Sequence, residues 1–226
     1  MILLKQNESG IVGSPQDIEA LEKKEAASIL ILSDSHRNPA LFEEIVRRYG
    51  KYCDALVFAG DGITDLIQTM ENLMDDEELA QFFPPVAAFA QGNCDPAYSV
   101  CGFDPTADEN ISCGSQYSHH LNIPRKTVLS AAGEKLLISH GHLQGIDFGD
   151  ELALSEAEEI GAKIFLHGHT HVPRQVHAGN KLIVNPGSIS RPRGGFDPTF
   201  AVLTIKGSFI DAAFINIKTW NVMKSI

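Results

Sequence analysis

The chain is short of positive charge. Its 226 residues carry 18 Lys and Arg against 29 Asp and Glu, a formal net charge of −11 at pH 7. Nucleic acid is therefore not an expected partner, because a groove for it needs clustered cations facing the phosphates. A small phosphate ester stays open as a substrate, since bound divalent cations reverse the sign of the local field. Long apolar runs are also missing: nothing approaches the roughly 20 residues of a membrane span. Met1-Ile2-Leu3-Leu4-Lys5 is apolar for too few residues to be a signal peptide. No membrane association and a cytoplasmic location are the expectations. Cysteine is sparse. Cys53, Cys94, Cys101 and Cys113 form no CxxC pair. The last three lie close together and leave a disulfide open, but without an export signal free thiols are expected. There is no internal repeat and no low-complexity tract.

What the chain does have is a recurring junction. Five short apolar runs end abruptly in residues that bind metal: 29–32 before Asp34 and His36, 55–58 before Asp61, 86–90 before Asn93, 136–138 before His140, and 164–166 before His167, His169 and His171. Open α/β sheets bind ligands in the crevice beyond the carboxyl ends of their strands, so these junctions are expected to converge on one pocket.

The intervening pattern supports that reading. Residues 1–27 form a separable N-terminal extension: a polar stretch, then a charged helix over 17–27 capped by Asp17 or Ser14. It packs on the domain or on a neighbouring subunit, which leaves a homo-oligomer open. Residues 28–226 form one domain. Strand 28–33, helix 39–49, strand 55–59, helix 64–82 and strand 86–90 alternate in the manner of a largely parallel sheet. Residues 96–122 are an irregular insertion that leaves the presumed site directly and is placed to wall or cover it. A hairpin (126–130 and 135–139), a helix near 150–160, strand 163–166 and strands 181–184, 200–205 and 209–216 follow. Alternation first and antiparallel pairing later predict an α/β fold with a mixed sheet or two packed sheets.

The chemistry sits at the junctions. Asp34-Ser35-His36 spaces a carboxylate and an imidazole two apart, and in extended backbone those side chains point the same way. Gly168-His169-Thr170-His171 repeats the device with two imidazoles. Asp61, between Gly60 and Gly62, offers a carboxylate able to bridge two ions. Asn93 offers a neutral amide oxygen, and His140 completes a mixed O/N set. Such donors suit divalent Mn, Fe, Co, Ni or Zn better than Mg or Ca. They outnumber what one tetrahedral ion takes, and two ions sharing a carboxylate use them all.

Taken in order, Asp34-Ser35-His36, Gly60-Asp61, Gly92-Asn93-Cys94-Asp95, His140-Gly141 and Gly168-His169-Thr170-His171 resemble the calcineurin-like metallophosphoesterases. Asn185-Pro186-Gly187-Ser188, followed by Arg191-Pro192-Arg193, is similar to the small bacterial and archaeal phosphodiesterase branch. The resemblance spans residues 28 to about 216. It implies an αββα sandwich, two packed mixed sheets flanked by helices. It also implies two divalent metal ions, manganese first, with Ni, Co, Fe or Zn as alternatives. It assigns Asp34, His36, Asp61 and His171 to the first ion and Asp61, Asn93, His140 and His169 to the second. The implied activity is hydrolysis of a phosphate ester, a diester first, by a hydroxide held between the ions.

Two positions depart from the family pattern. Many members carry His after the Asn, where it protonates the leaving oxygen; here it is Cys94, a poor oxygen acid without a base partner. Many carry Gly where Arg37 stands. Cys94, His142 and Arg193 join Asp61 and Asn93 as candidate catalytic residues. For His142 the competing role is support or surface, and for Arg191 and Arg193, able to clamp phosphate by paired hydrogen bonds, it is a solvated surface. His167 is expected packed behind the ligands, His119 and His120 solvated. The alternatives are a phosphomonoesterase or nucleotidase of the same superfamily, and a non-catalytic scaffold like the retromer subunit that shares the fold.

Overall fold

The computed structural model describes residues 5–74, 77–101, 119–224 and 226. Its chain order begins with β1 (Val12–Gly13), α1 (Pro15–Lys23), β2 (Ala26–Leu32), α2 (Pro39–Tyr49) and β3 (Ala55–Phe58). Then come α3 (Ile63–Met74), α4 (Glu77–Ala80), β4 (Val86–Phe89), β5 (Tyr98–Cys101), β6 (His119–Asn122), β7 (Lys126–Ala131) and β8 (Glu134–Ser139). The last third holds α5 (Glu151–Glu159), β9 (Ile164–Leu166), β10 (Arg174–Ala178), β11 (Lys181–Asn185), β12 (Thr199–Lys206), β13 (Phe209–Asn216) and β14 (Asn221–Val222).

Two mixed sheets carry the fold. One runs β1-β4-β3-β2-β12-β13-β14, the other β10-β11-β9-β8-β7. In the first, β2, β3 and β4 are parallel; in the second, β8, β9 and β11 are. All their junction ends therefore point one way. Strand alternation explains the layering. Ile29 and Ile31 of β2 join Val57, Ala88, Ile138, Leu166 and Val184 in the core between the sheets. Leu30 and Leu32 face the other way, onto Phe42 and Ile45 of α2 and Leu66 and Met70 of α3. On the far side, Leu137, Phe165 and Ile183 pack on Ala153 and Ala157 of α5. Strands buried on both faces must be apolar at every position, which is why β3 reads Ala-Leu-Val-Phe without alternation. The αββα sandwich expected from the resemblance is the observed architecture.

Three local expectations need correction. The first helix ends at Lys23 rather than Ala27, because Ala26 and Ala27 pair with Lys206 and Ile205 and open β2. Of its two candidate caps, Ser14 is used: its Oγ accepts from Asp17 N at 3.0 Å, with Pro15 opening the helix. The helix expected over 64–82 is described as α3 and α4 on either side of residues 75–76, which lie outside those described, and it ends at Ala80. The irregular 96–122 stretch contains a two-stranded antiparallel ribbon, β5 with β6, on which His119 and His120 lie. Cys113 and the rest of 102–118 fall outside the described residues. Cys53 and Cys94 are free thiols.

The first residues are tied into the domain. β1 pairs with β4 at the sheet edge, Leu21 of α1 is 2% exposed in the inter-sheet core, and its carbonyl accepts from Ala132 N at 2.9 Å. The boundary at residue 27 therefore falls inside β2.

Candidate metal centre

The junctions converge at one end of the sandwich. Asp34 and His36 follow β2, Asp61 follows β3, Asn93 and Cys94 follow β4, His140 follows β8, and His169 and His171 follow β9. The convergence is not built by extended backbone, as the spacing suggested. Asp34, His36, Asp61, His169 and His171 all have positive φ, 55°, 46°, 61°, 67° and 61°. Left-handed backbone costs a non-glycine residue roughly 1–2 kcal/mol, and such strain gathers where a site demands it. Tight turns at the strand ends, rather than strand alternation, aim these side chains inward.

Hydrogen bonds then fix each carboxylate. Asp34 Oδ2 accepts from Ser33 Oγ at 2.6 Å and from His169 N at 3.1 Å, while its carbonyl takes the Ser188 hydroxyl at 2.7 Å. Asp61 Oδ1 accepts from Cys94 N at 2.8 Å. The turn beneath Asp61 is clamped by Asp95. Its carboxylate accepts from Asp61 N, Gly62 N, Ile63 N and Gly92 N at 2.7, 2.8, 3.0 and 3.0 Å, two of them from the start of α3 and the turn before it. Glycine is required at two approaches. A Cβ on Gly92 would overlap the Asp61 carboxylate and amide, and one on Gly168 would overlap Ser33 Oγ and crowd Asp34 Oδ2.

The imidazoles are oriented from behind. His140 Nδ1 lies 2.7 Å from the Ala59 carbonyl and His171 Nδ1 2.6 Å from the Arg191 carbonyl. Both Nδ1 atoms must donate, so in the neutral rings both Nε2 atoms present lone pairs. His171 Nε2 sits 3.1 Å from Asp34 Oδ1 and 3.1 Å from His36 Nε2. His140 Nε2 sits 3.5 Å from Asp61 Oδ2 and 4.0 Å from Asp34 Oδ1. His169 Nδ1 meets Asn93 Oδ1 at 3.0 Å.

Two atoms at the centre lack a hydrogen-bond partner. Asp34 Oδ1 and His140 Nε2 are buried and make no hydrogen bond. Leaving a buried polar atom unsatisfied is costly, and buried charge is normally paired or ligates metal. Both atoms are acceptors aimed at the same space, which a divalent cation fits. Asp34, His36 and His171 form one group whose donor atoms lie within 4.8 Å of one another, and Asp34, Asp61 and His140 form another. His36, Asp61 and Cys94 form a third.

The electrostatics agree. Asp61 is held well below the usual carboxylate range: burial pushes it up, but His140 beside it and the Cys94 N–H outweigh burial. Burial pushes His140 down, and the carboxylates of Asp61 and Asp34 outweigh that and raise it. His36 is lowered, burial outweighing the same two carboxylates. The Cys94 thiol is pushed up to about 11, first by desolvation and then by Asp61 and its acidic neighbours.

A mouth of about 430 Å³ opens over this centre, lined by His36, Asp61, Asn93, Cys94, His169, His171 and the segment Arg191–Arg193. Arg193 lies at this mouth, its N–H donating to the His171 carbonyl at 3.1 Å. Arg37 is exposed. His142 does not line the mouth. It packs behind, its ring 5.4 Å from His140 and 6.1 Å from His169, with its pKa lowered by burial and then by those two rings. His167 is buried against Phe165 at 5.6 Å, and burial pulls it down to about 4. Asp95 and Asp147 escaped the sequence reading. Asp95 stands inside a quoted motif, where a carboxylate in the loop after a strand gives no sign that it will cap its neighbours. Asp147 belongs to no strand-end motif at all.

Comparison with known proteins agrees with this geometry. The model of the calcineurin-like phosphoesterase superfamily domain matches residues 28–208. Among relatives, the probable metallophosphoesterase YsnB of Bacillus subtilis is 29% identical over 190 residues, 83% of this chain and 88% of that protein. The phosphodiesterase YfcE of Escherichia coli is 35% identical over 72 residues, 31% of this chain and 34% of that protein. Among solved structures, a conserved uncharacterized protein of Streptococcus pneumoniae TIGR4, described as a predicted phosphoesterase, superposes with a TM-score of 0.63 at 27% identity, covering 89% of this chain and 95% of that one.

Proposed function

The chain belongs to the calcineurin-like phosphoesterase superfamily, and on that premise we propose that it is a phosphodiesterase working with two divalent metal ions. The observation that carries the reading is the pair of buried, unpartnered acceptors, Asp34 Oδ1 and His140 Nε2, facing a shared carboxylate at Asp61. Asp34, His36, Asp61 and His171 would hold one ion, and Asp61, Asn93, His140 and His169 the other; manganese heads the candidates. Ions bound there would lower the pKa of an attacking water and draw charge from the phosphate oxygens.

The protein's own residues do the rest. The carbonyls of Ala59 and Arg191 take the Nδ1–H of His140 and His171, which turns each Nε2 toward the ion it would hold. Cys94 N–H holds one oxygen of Asp61 and leaves Oδ2 facing inward. Arg191 and Arg193 stand at the mouth, where guanidinium groups would take the remaining phosphate oxygens. Cys94 supports a diester over a monoester. A thiol near pKa 11 is a much weaker proton donor than an imidazolium, so esters whose leaving group departs unaided are favoured.

The test is a matched pair, bis-p-nitrophenyl phosphate against p-nitrophenyl phosphate, with Mn, Ni, Co, Zn and Mg in turn. The diester should turn over faster. Preference for the monoester would make the chain a phosphomonoesterase, and inertness toward every ester with metal bound would make it a scaffold.

A further inference from the structure

We infer that Asp147 is a positioning residue for the second ion: it fixes the tautomer of His169 so that Nδ1 faces Asn93. Asp147 lies in the segment between His140 and α5, outside every motif quoted above. Its Oδ2 is 2.8 Å from His169 Nε2. A carboxylate at neutral pH has no proton to give, so at that distance Nε2 must be the donor. In a neutral imidazole the lone pair then falls on Nδ1, 3.0 Å from Asn93 Oδ1. Two acceptors at hydrogen-bond distance repel each other unless a cation stands between them. Asp147 thus turns a contact that would be unfavourable by itself into half of an ion site.

His140 and His171 are held by backbone carbonyls and offer Nε2, whereas His169 is held by a carboxylate and offers Nδ1. A carboxylate behind a ligating imidazole makes it more basic and fixes its ring, and losing such a partner costs about 10–100-fold in metal affinity. The segment is built to hold Asp147 in place. Ile146 is 5% exposed in the α5 core, Ile146 N donates to the Gly141 carbonyl at 3.3 Å, and Phe148 N donates to the Gly145 carbonyl at 2.8 Å. Asp147 itself remains 48% exposed, so its replacement should spare the fold.

The inference rests on the dinuclear reading, and its test separates the two. Nitrogen NMR of the metal-free protein reports the His169 tautomer, and calorimetric titration with Mn reports the ions. Asp147→Ala should shift His169 from the Nε2–H tautomer toward a mixture. It should weaken the second Mn by about 10–100-fold and leave the first unchanged. Asp147→Asn keeps an acceptor without the charge and should fall between. Excess Mn should restore kcat in Asp147→Ala, which a general structural defect would not allow. Wild-type affinity for both ions in Asp147→Ala overturns the inference, whatever the tautomer does. A wild-type protein that takes up only one Mn overturns the dinuclear reading and the inference with it.

Discussion

The side of the site built on Asp34, His140 and His171 differs from the side built on Asn93 and His169 in how its side chains are held. On the first side, Asp34 and His140 are 0% exposed and His171 5%, with imidazoles tied to main-chain carbonyls. On the second, Asn93 and Cys94 are exposed, His169 is 24% exposed, and its partner Asp147 is itself a surface side chain. The walled side keeps its inward acceptors buried and without hydrogen bonds, a setting that favours a bound cation. The open side can trade its ligands for solvent or substrate. Asp61 belongs to both, one oxygen pinned by Cys94 N–H and the other facing His140 and His36.

Breaking the shared residue should have the largest effect. Asp61→Asn removes the only carboxylate common to both halves, and the rate on the diester should fall by at least about 10³-fold, in the range of losing a principal electrostatic element. Steady-state kinetics with saturating Mn check this. Near-normal turnover by the Mn-loaded variant would mean that the two halves do not work through Asp61.

Next is the turn beneath it. Asp95→Ala frees four amides that now share one carboxylate. Hydrogen bonds to charged groups contribute about 1.5–3 kcal/mol each, far from additively, so a loss of about 3 kcal/mol in unfolding free energy is expected from denaturant titration. A loss below about 1 kcal/mol would show that strand packing, not Asp95, shapes the turn.

These two residues also mark how far the sequence carries. The ligand donors were legible because each ends an apolar strand, and the layering because β3 and β4 are apolar at every position. Asp95 and Asp147 were not, since what they do depends on amides and an imidazole brought near by folding. The direction of the donors was misjudged for the same reason: spacing by two implies a common face only in extended backbone, and Asp34 and His36 sit at positive φ. The helix over 64–82 was drawn too long because Leu, Met and acids favour helix throughout, with no breaker before Pro84.

The third prediction concerns pH and should sharpen the contrast by moving the walled side alone. His140 is raised from its ordinary 6.5 by Asp61 and Asp34 in the metal-free protein. A raised folded value contributes stability that is fully present below 6.5 and is lost as pH rises through the folded value. Metal binding needs that same proton gone. The metal-free protein should therefore lose melting temperature as pH climbs above 6.5, while the stabilisation added by Mn grows over the same window. At 100 times its Kd an ion adds about 2.7 kcal/mol. Parallel melting curves with and without Mn across this range would place the titrating group elsewhere.

The smallest effect is expected at the rim of the open side. Cys94→Ala removes a thiol that desolvation and Asp61 push up to about 11, so it is protonated at neutral pH and too weak an acid to protonate a departing nitrophenolate. Its backbone N–H, which holds Asp61 Oδ1, is untouched by the change. The rate on a nitrophenyl diester should change by less than about threefold, where a working general acid would contribute 10²–10⁴-fold. A larger loss that deepens as the leaving group becomes more basic would identify the thiol as the proton donor. The open side would then hold chemistry as well as an exchangeable ion.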